Sequence, residues 1–284
     1  ALYAGENIRA IGTFGAVDIM AMSTVVSFGL LIALGFGLAS AGRRRVLLLL
    51  VAVVLLLPLV LSLSRGSLIA VVCAAAVVLA VHHWRAAVLT VLVVAALGVV
   101  LVGGFGLGAD TVGERVASIG SSVDDPDRSV TDRYDLWTAA IGMWREHPLT
   151  GVGLQNFPEY RDSYAPLRLS SGSDVGDPDG RFRREPLLSP HNMYLLVASE
   201  QGTVGILAFG GLLAALAAGT VRRLLRTGTP IQRAPGLCAL GLLTWLLVDF
   251  GYADIGGPSS VLTAVVLGLV ASWALAVVPA PEAT

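Results

Sequence analysis

Seven long apolar stretches limit what this 284-residue chain can fold into. They run Val17–Ser40, Val46–Ser64, Ser67–His83, Ala86–Leu107, His191–Val221, Pro235–Tyr252 and Pro258–Val278. A helix needs about 20 mostly apolar residues to cross the hydrocarbon core of a bilayer. Inside that core every backbone polar group must be paired within the chain, which helices and closed barrels alone achieve. We read the stretches as membrane-spanning helices. The expected fold class is all-α, a polytopic transmembrane bundle of about seven spans with a large extracytoplasmic loop containing short helices. The fifth stretch is longer than a span requires, so its ends should project or tilt.

Charge is confined just as tightly. Charged residues make up 14% of the chain, against about 25% in an ordinary soluble domain. Of the 39 charged residues, 23 fall between Gly108 and Pro190. This distribution excludes a typical soluble enzyme, a disordered chain and a nucleic-acid binder, and a net charge of −1 implies no polyanionic partner. Three parts follow: residues 1–107 with four spans, residues 108–190 as the large loop, and residues 191–284 with three spans. Basic residues orient the spans. Arg43, Arg44 and Arg45 follow the first, His82, His83 and Arg85 the third, and Arg222, Arg223, Arg226 and Arg233 the fifth. Alternating spans put these groups on one side, the cytoplasm, and the long loop on the other. Its nine arginines do not oppose this, because long loops largely escape the rule. Ala1 is not an initiator Met and no signal-peptide core follows it, so the chain reads as a fragment lacking its N-terminal part. Cys73 and Cys238 lie in apolar runs and read as small packing residues.

Within the loop, Asp132 can cap a helix beginning at Arg133, with Asp135 in its first turn. Trp137, Ala140, Ile141 and Trp144 give it an amphipathic stripe, and Pro148 ends it. Its tryptophans suit a bilayer surface. Ser170 to Arg184 is rich in Gly, Ser and Asp and reads as mobile loop, and Gly151-Val152-Gly153 as a turn. Asp124-Asp125-Pro126-Asp127 reads as a solvated acidic turn rather than a metal motif. There is no His-Glu-x-x-His, no Gly-rich phosphate loop with Lys and no zinc-spaced Cys pair, so neither metal nor cofactor is expected.

Five positions bear on chemistry. Ser189-Pro190-His191-Asn192 reads as a helix start with Ser189 at the N-cap, which puts His191 at N2. The helix dipole there favours a neutral imidazole able to accept a proton, and free N–H groups can hold a phosphate oxygen. An interfacial His bonded to the loop is the bland alternative. Arg65 stands in the tight turn Ser64-Arg65-Gly66-Ser67 and is either a phosphate ligand or an interfacial anchor. Glu200 lies nine residues into the fifth span, about 13 Å below His191 and about 180° round the helix. It reads as a structural partner of an Arg or a backbone group. Asp249 and Asp254 lie near the outer end of the sixth span, where they can face the same cavity.

The order of these features resembles the O-antigen ligase and polymerase family of bacterial membrane proteins. Four segments carry the resemblance. They are Arg9-Ala10-Ile11-Gly12-Thr13-Phe14-Gly15; Ser64-Arg65-Gly66-Ser67; Arg133-x-x-x-Trp137 with His147-Pro148-x-x-Gly151-x-Gly153-x-x-Asn156; and Pro190-His191-Asn192-x-Tyr194-Leu195 with Glu200-x-Gly202-x-x-Gly205. The resemblance implies about a dozen helices, the first of them missing here, and a multi-pass protein of the bacterial plasma membrane. It implies transfer of a glycan from a polyprenyl pyrophosphate to an acceptor hydroxyl, without metal or nucleotide sugar. The base falls to His191 and the pyrophosphate to Arg65 and Arg133, with Arg9 and Asn192 also among the substrate-binding residues. The partners are a lipid-linked glycan donor, a glycan, lipid or protein acceptor, and the membrane. Two other readings stay open: a transporter of a small anion, and a non-catalytic scaffold of envelope synthesis.

Overall fold

In a computed structural model the described residues are 19–62, 64, 66–82, 128–166, 169, 173–176, 182–185, 188–254 and 259–276. Arg9, Arg65, the span expected at Ala86–Leu107 and the acidic turn Asp124–Asp127 lie outside them. The helices are α1 (Ile19–Ala39), α2 (Gly42–Leu61), α3 (Gly66–His82), α4 (Arg128–Glu146), α5 (Phe157–Tyr164), α6 (Met193–Arg226), α7 (Pro230–Asp249) and α8 (Ser259–Leu275). Four of them, α1, α2, α6 and α7, are long and apolar enough to cross a membrane. Two shorter apolar helices, α3 and α8, stand where the third and seventh spans were expected.

The all-α expectation needs one correction. Strands β1 (Ser173–Gly176) and β2 (Phe182–Glu185) pair antiparallel, Ser173 opposite Glu185 and Gly176 opposite Phe182. They lie in the segment that composition reads as mobile loop. Gly, Asp and Pro between two short runs are also what a hairpin needs.

The described residues form two compact units. Unit one holds those up to His82, Gly211–Asp249 and those from Ser259 onward. Unit two holds Arg128–Gly210 with Phe250–Asp254.

In unit one α1 packs on α2 and α7, and α8 on α7. Close approach comes from small residues, the usual device where lipid supplies no hydrophobic drive between helices. A Cβ on Gly35 would press on Sγ and backbone of Cys238, and one on Gly236 would meet Trp273 and Leu224. Phe28 packs edge-on to the buried Trp245 at 5.0 Å. One end of the unit is sealed by Leu38 and Ala39 of α1, Val78 and Leu79 of α3, Leu224 of α6, and Ala234 and Leu237 of α7. Arg43, Arg44 and Arg45 at the start of α2 and Arg222, Arg223 and Arg226 in the last turns of α6 therefore stand at this one end of the unit. By contrast α2 leaves Val46, Leu50, Val53, Val54 and Leu57 exposed. An apolar face of that extent fits lipid as its solvent. Both cysteines are free, Cys238 buried and Cys73 half-buried.

Unit two has its own core: Leu136, Ala140 and Met143 of α4, Phe157 of α5, and Leu169, with Leu195 and Leu196 of α6 against them. Helix α4 starts at Arg128, five residues before the expected start, and its most buried positions are Leu136, Ala139, Ala140 and Met143. The tryptophans of the expected stripe sit half-buried at its edge. An indole N–H requires an acceptor, so Trp favours a boundary over the centre.

Gly35→Val should cost about 1–3 kcal/mol through overpacking. The same change at Gly268, which has open space around it, should be tolerated. Thermal unfolding of the two variants in detergent checks this; equal midpoints would mean that α1 and α7 are not in close contact.

Candidate functional site

Helix α6 is broken. Gly202 has φ 65° and ψ −162°, far from helical values. A break leaves backbone groups on both sides without intrahelical partners, and burying them unpaired is unfavourable. The segment after α4 supplies the partners. Val152 N donates to Ser199 O at 2.9 Å and Gly153 N to Glu200 O at 2.9 Å. From the other side, Thr203 N donates to Pro148 O at 2.7 Å and Val204 N to Leu149 O at 3.3 Å. Two glycines make this crossing possible, each in the left-handed region. A Cβ on Gly202 would overlap the backbone of Leu149 and Thr150, and one on Gly151 (φ 66°) would overlap the backbone of Ser199, Glu200 and Gln201.

Glu200 sits at the break, 7% exposed. Its Oε1 accepts from Phe157 N, the first residue of α5, at 3.1 Å. A buried carboxylate at a helix N-terminus gains both a charge-assisted bond and the helix dipole. The sequence reading of Glu200 as partner to a backbone group is the one observed. Trp144 Nε1 donates to Thr203 Oγ1 at 3.1 Å, which ties α4 to the same break.

Closer to the start of α6, the expected cap is corrected. The helix begins at Met193, and Asn192 is its cap, with Oδ1 accepting from Leu195 N at 3.1 Å. His191 therefore precedes the cap rather than sitting at N2, and Ser189 does not cap. Asn and Ser cap about equally well, and the bonds from Asn192 and Met193 to Phe250–Ala253 hold the start here, with Pro190 outside the helix. His191 has φ 48°, one of two non-glycine residues with positive φ among those described. That conformation is disfavoured by roughly 1–2 kcal/mol for an L-residue, though His visits it more readily than most.

Several bonds hold it there. Trp137 Nε1 donates to Pro190 O at 2.9 Å. Met193 N is shared between Phe250 O at 2.8 Å and Ala253 O at 3.0 Å. Asn192 Nδ2 donates to Gly251 O at 3.2 Å. Arg133, one helical turn before Trp137, reaches the same segment with a long contact of 3.4 Å from NH1 to Tyr252 O. Arg133, Asn192 and Met193 thus converge on Phe250–Asp254, and His191 directly precedes Asn192. Partial burial pushes the Arg133 guanidinium down from its ordinary value, and the Asp254 carboxylate opposes that shift. Oδ2 of Asp254 is buried with no hydrogen-bond partner among the described residues. Arginine stays charged regardless, so this rim holds a partly desolvated cation beside a carboxylate.

The other expected site residues lie elsewhere. Arg9 and Arg65 fall outside the described residues. The serines flanking Arg65 belong to unit one: Ser64 Oγ donates to Ser67 Oγ at 2.9 Å, and Ser67 Oγ to the buried Ser23 Oγ of α1 at 3.2 Å. Asp249 ends α7 in unit one. The expected turn at Gly151–Gly153 is present, and its partner in the broken helix was not foreseen. Nor was Tyr252, which meets Arg133 by a main-chain oxygen and so carries no side-chain signal.

A family model described as O-antigen ligase matches residues 50–210. The chain belongs to the O-antigen ligase family. The match runs from α2 through both sides of the Gly202 break and takes in Arg133, His191 and Asn192. O-antigen ligase membership makes this a membrane protein of ligase- or polymerase-type glycan transfer, within a family of glycosyltransferase-type enzymes. No curated protein matches the chain.

Gly202→Ala should destabilise unit two by more than the roughly 1–2 kcal/mol of a left-handed alanine, because backbone overlap adds to it. Glu200→Ala should cost about 1.5–3 kcal/mol for the lost charged hydrogen bond. Protease protection of residues 147–160 reads both; full protection in Gly202→Ala would show that the helix break does not exist.

Proposed function

We propose that the protein transfers a glycan from a polyprenyl pyrophosphate to an acceptor hydroxyl at the outer face of the bacterial plasma membrane, with His191 as base. The observation that carries this reading is the left-handed His191, whose neighbours Asn192 and Met193 are bonded to the same short segment that Arg133 reaches. A backbone held off its preferred conformation by several bonds is the mark of a positioned functional residue. In the proposed reaction the acceptor oxygen attacks the anomeric carbon and its proton passes to His191. The bond from that carbon to the pyrophosphate oxygen breaks, and the lipid pyrophosphate leaves with the electron pair. Attack opposite the leaving group inverts the anomeric centre. A pyrophosphate needs charge stabilisation more than protonation, and Arg133 supplies fixed positive charge where negative charge develops; the family resemblance assigns the same role to Arg65 and Arg9, which lie outside the described residues. Asn192, as cap, holds the His191 turn against the helix.

No metal or cofactor is invoked. Residues 108–190 form the outer loop in this reading, and the arginine end of unit one is cytoplasmic. Acceptors of three kinds fit: a lipid-linked core sugar, the growing end of the same polymer, or a protein hydroxyl. An anion transporter fits less well. Transporters built on broken helices leave the freed backbone groups to the substrate, whereas here Pro148–Gly153 takes four of them.

His191→Ala should lower transfer from a labelled polyprenyl-pyrophosphate glycan in membranes by roughly 10²–10⁴-fold at normal expression. Undiminished transfer would remove His191 as base and favour the scaffold reading for that residue. In a cysteine-free background, Cys placed at Arg44 or Arg223 should resist an impermeant thiol reagent applied outside, while Cys at Glu159 should react. The reverse pattern would invert the proposed topology.

A further inference from the structure

We infer that unit one binds an anionic phospholipid at its arginine end, held by the phosphate and one acyl chain. The described residues of this unit carry seven arginines, Arg43, Arg44, Arg45, Arg222, Arg223, Arg226 and Arg233, all at that end. Their only described carboxylate within the unit is Asp249, at the opposite end of α7. No ion pair joins any of the seven to an acid among the described residues, and so much unbalanced charge at one end calls for an external anion.

Two adjoining cavities give that anion a shape. One, of about 300 Å³, is lined by Arg222, Arg223 and Arg226 with Gly219, Ala274 and Ala276. The other, of about 420 Å³, is lined chiefly by apolar side chains, among them Ile32, Phe36, Leu242, Leu269 and Trp273. That volume is within the range of ligand pockets, roughly 300–1,000 Å³. Arg223 and Ala276 line both, and neither lining contains an acid. Arg223 does not extend into solvent as an isolated interfacial arginine does. It folds back, donating to Trp273 O at 2.6 Å and lying 4.2 Å over the Trp273 ring. It thereby forms a wall with charge on one side and hydrocarbon on the other.

Unpaired polar atoms also occur at this end of the unit, and one of them, Trp273 Nε1, belongs to a residue lining the apolar cavity. Six buried side-chain polar atoms lack a partner among the described residues, and four of them belong to Ser40, Thr220, Arg233 and Trp273 at this end. Two of these, the Nε of Arg233 and the indole N–H of Trp273, are donors only, and donors left without an acceptor suit an anionic ligand. A molecule with phosphate oxygens at one end and an alkyl chain at the other matches both cavities. Basic pockets between membrane helices hold anionic headgroups in this way.

Native mass spectrometry of the purified chain, offered equimolar phosphatidylglycerol and phosphatidylcholine, tests the site. The wild type should keep phosphatidylglycerol at least fivefold in preference. Arg222→Gln/Arg226→Gln, at two exposed positions where the fold should tolerate the change, should bring the ratio near one. Arg43→Gln/Arg44→Gln, equally exposed but outside the cavity linings, should leave it unchanged. An equal loss in the second pair would mean diffuse charge rather than a site, and no preference in the wild type would overturn the inference. Inorganic phosphate at the lipid's concentration should not displace it; displacement would mean that the alkyl cavity plays no part and the ligand is a free anion.

Discussion

The break at Gly202 is the constraint on which unit two depends. Freeing helix backbone groups away from water costs about 1–3 kcal/mol for each one left unpaired. Here the segment from Pro148 to Gly153 meets four of them with main-chain bonds of 2.7–3.3 Å. The exchange has a steric condition, because main chain can meet main chain this closely only where no Cβ intervenes. Gly151 and Gly202 satisfy that condition reciprocally, each standing where the other strand's backbone passes. The end of α4, the start of α5 and the break in α6 are then fixed together. Glu200 completes the joint by capping α5 from inside it.

The rim follows from this joint. Once α4 is held against α6, Trp137 and Arg133 lie one turn apart on α4, and Trp137 grips Pro190. The start of α6 is fastened separately, by Asn192 and Met193 to Phe250–Asp254. His191 is caught between the two fastenings, so its left-handed backbone is over-determined rather than free to relax. The same reasoning explains the charge there. Arg133 is partly desolvated by the elements that position it, and Asp254 compensates only in part. A cation held in that state attracts a further anion more strongly than one in water would.

Much of the membrane architecture was legible from composition, because a bilayer imposes length and apolarity directly on sequence. The runs behind α1, α2, α6 and α7 are visible for that reason. Glu200 was legible as a structural acid from its depth together with its turn of about 180° from His191. Three features were not. The helix break lies in the polar stretch Ser199-Glu200-Gln201-Gly202-Thr203, which marks Glu200 as an acid in the span but carries no sign that Gly202 leaves helical geometry, since Gly is also the small residue that packs membrane helices. The hairpin at Ser173–Glu185 is too short to show a period of two. The cap was misplaced by three residues because Ser189-Pro190 and Asn192 both make valid helix starts, and tertiary bonds to Gly251 and Phe250 decide between them.

The motifs themselves look different once the geometry is known. His147-Pro148-x-x-Gly151-x-Gly153 and Glu200-x-Gly202 are separated by more than forty residues, and each looks weak alone. In the fold they are the two halves of one crossing. Gly151 and Gly202 face each other's main chain, and the spacing sets which carbonyl meets which amide. Such a pair marks the joint that aims α4 and α6, not the reacting groups. The residues proposed for chemistry stand at the rim that this joint supports, where Arg133 and the start of α6 owe their positions to main-chain contacts. A substitution at either glycine should therefore disturb transfer through misplacement of the rim, while one at His191 should leave the joint intact.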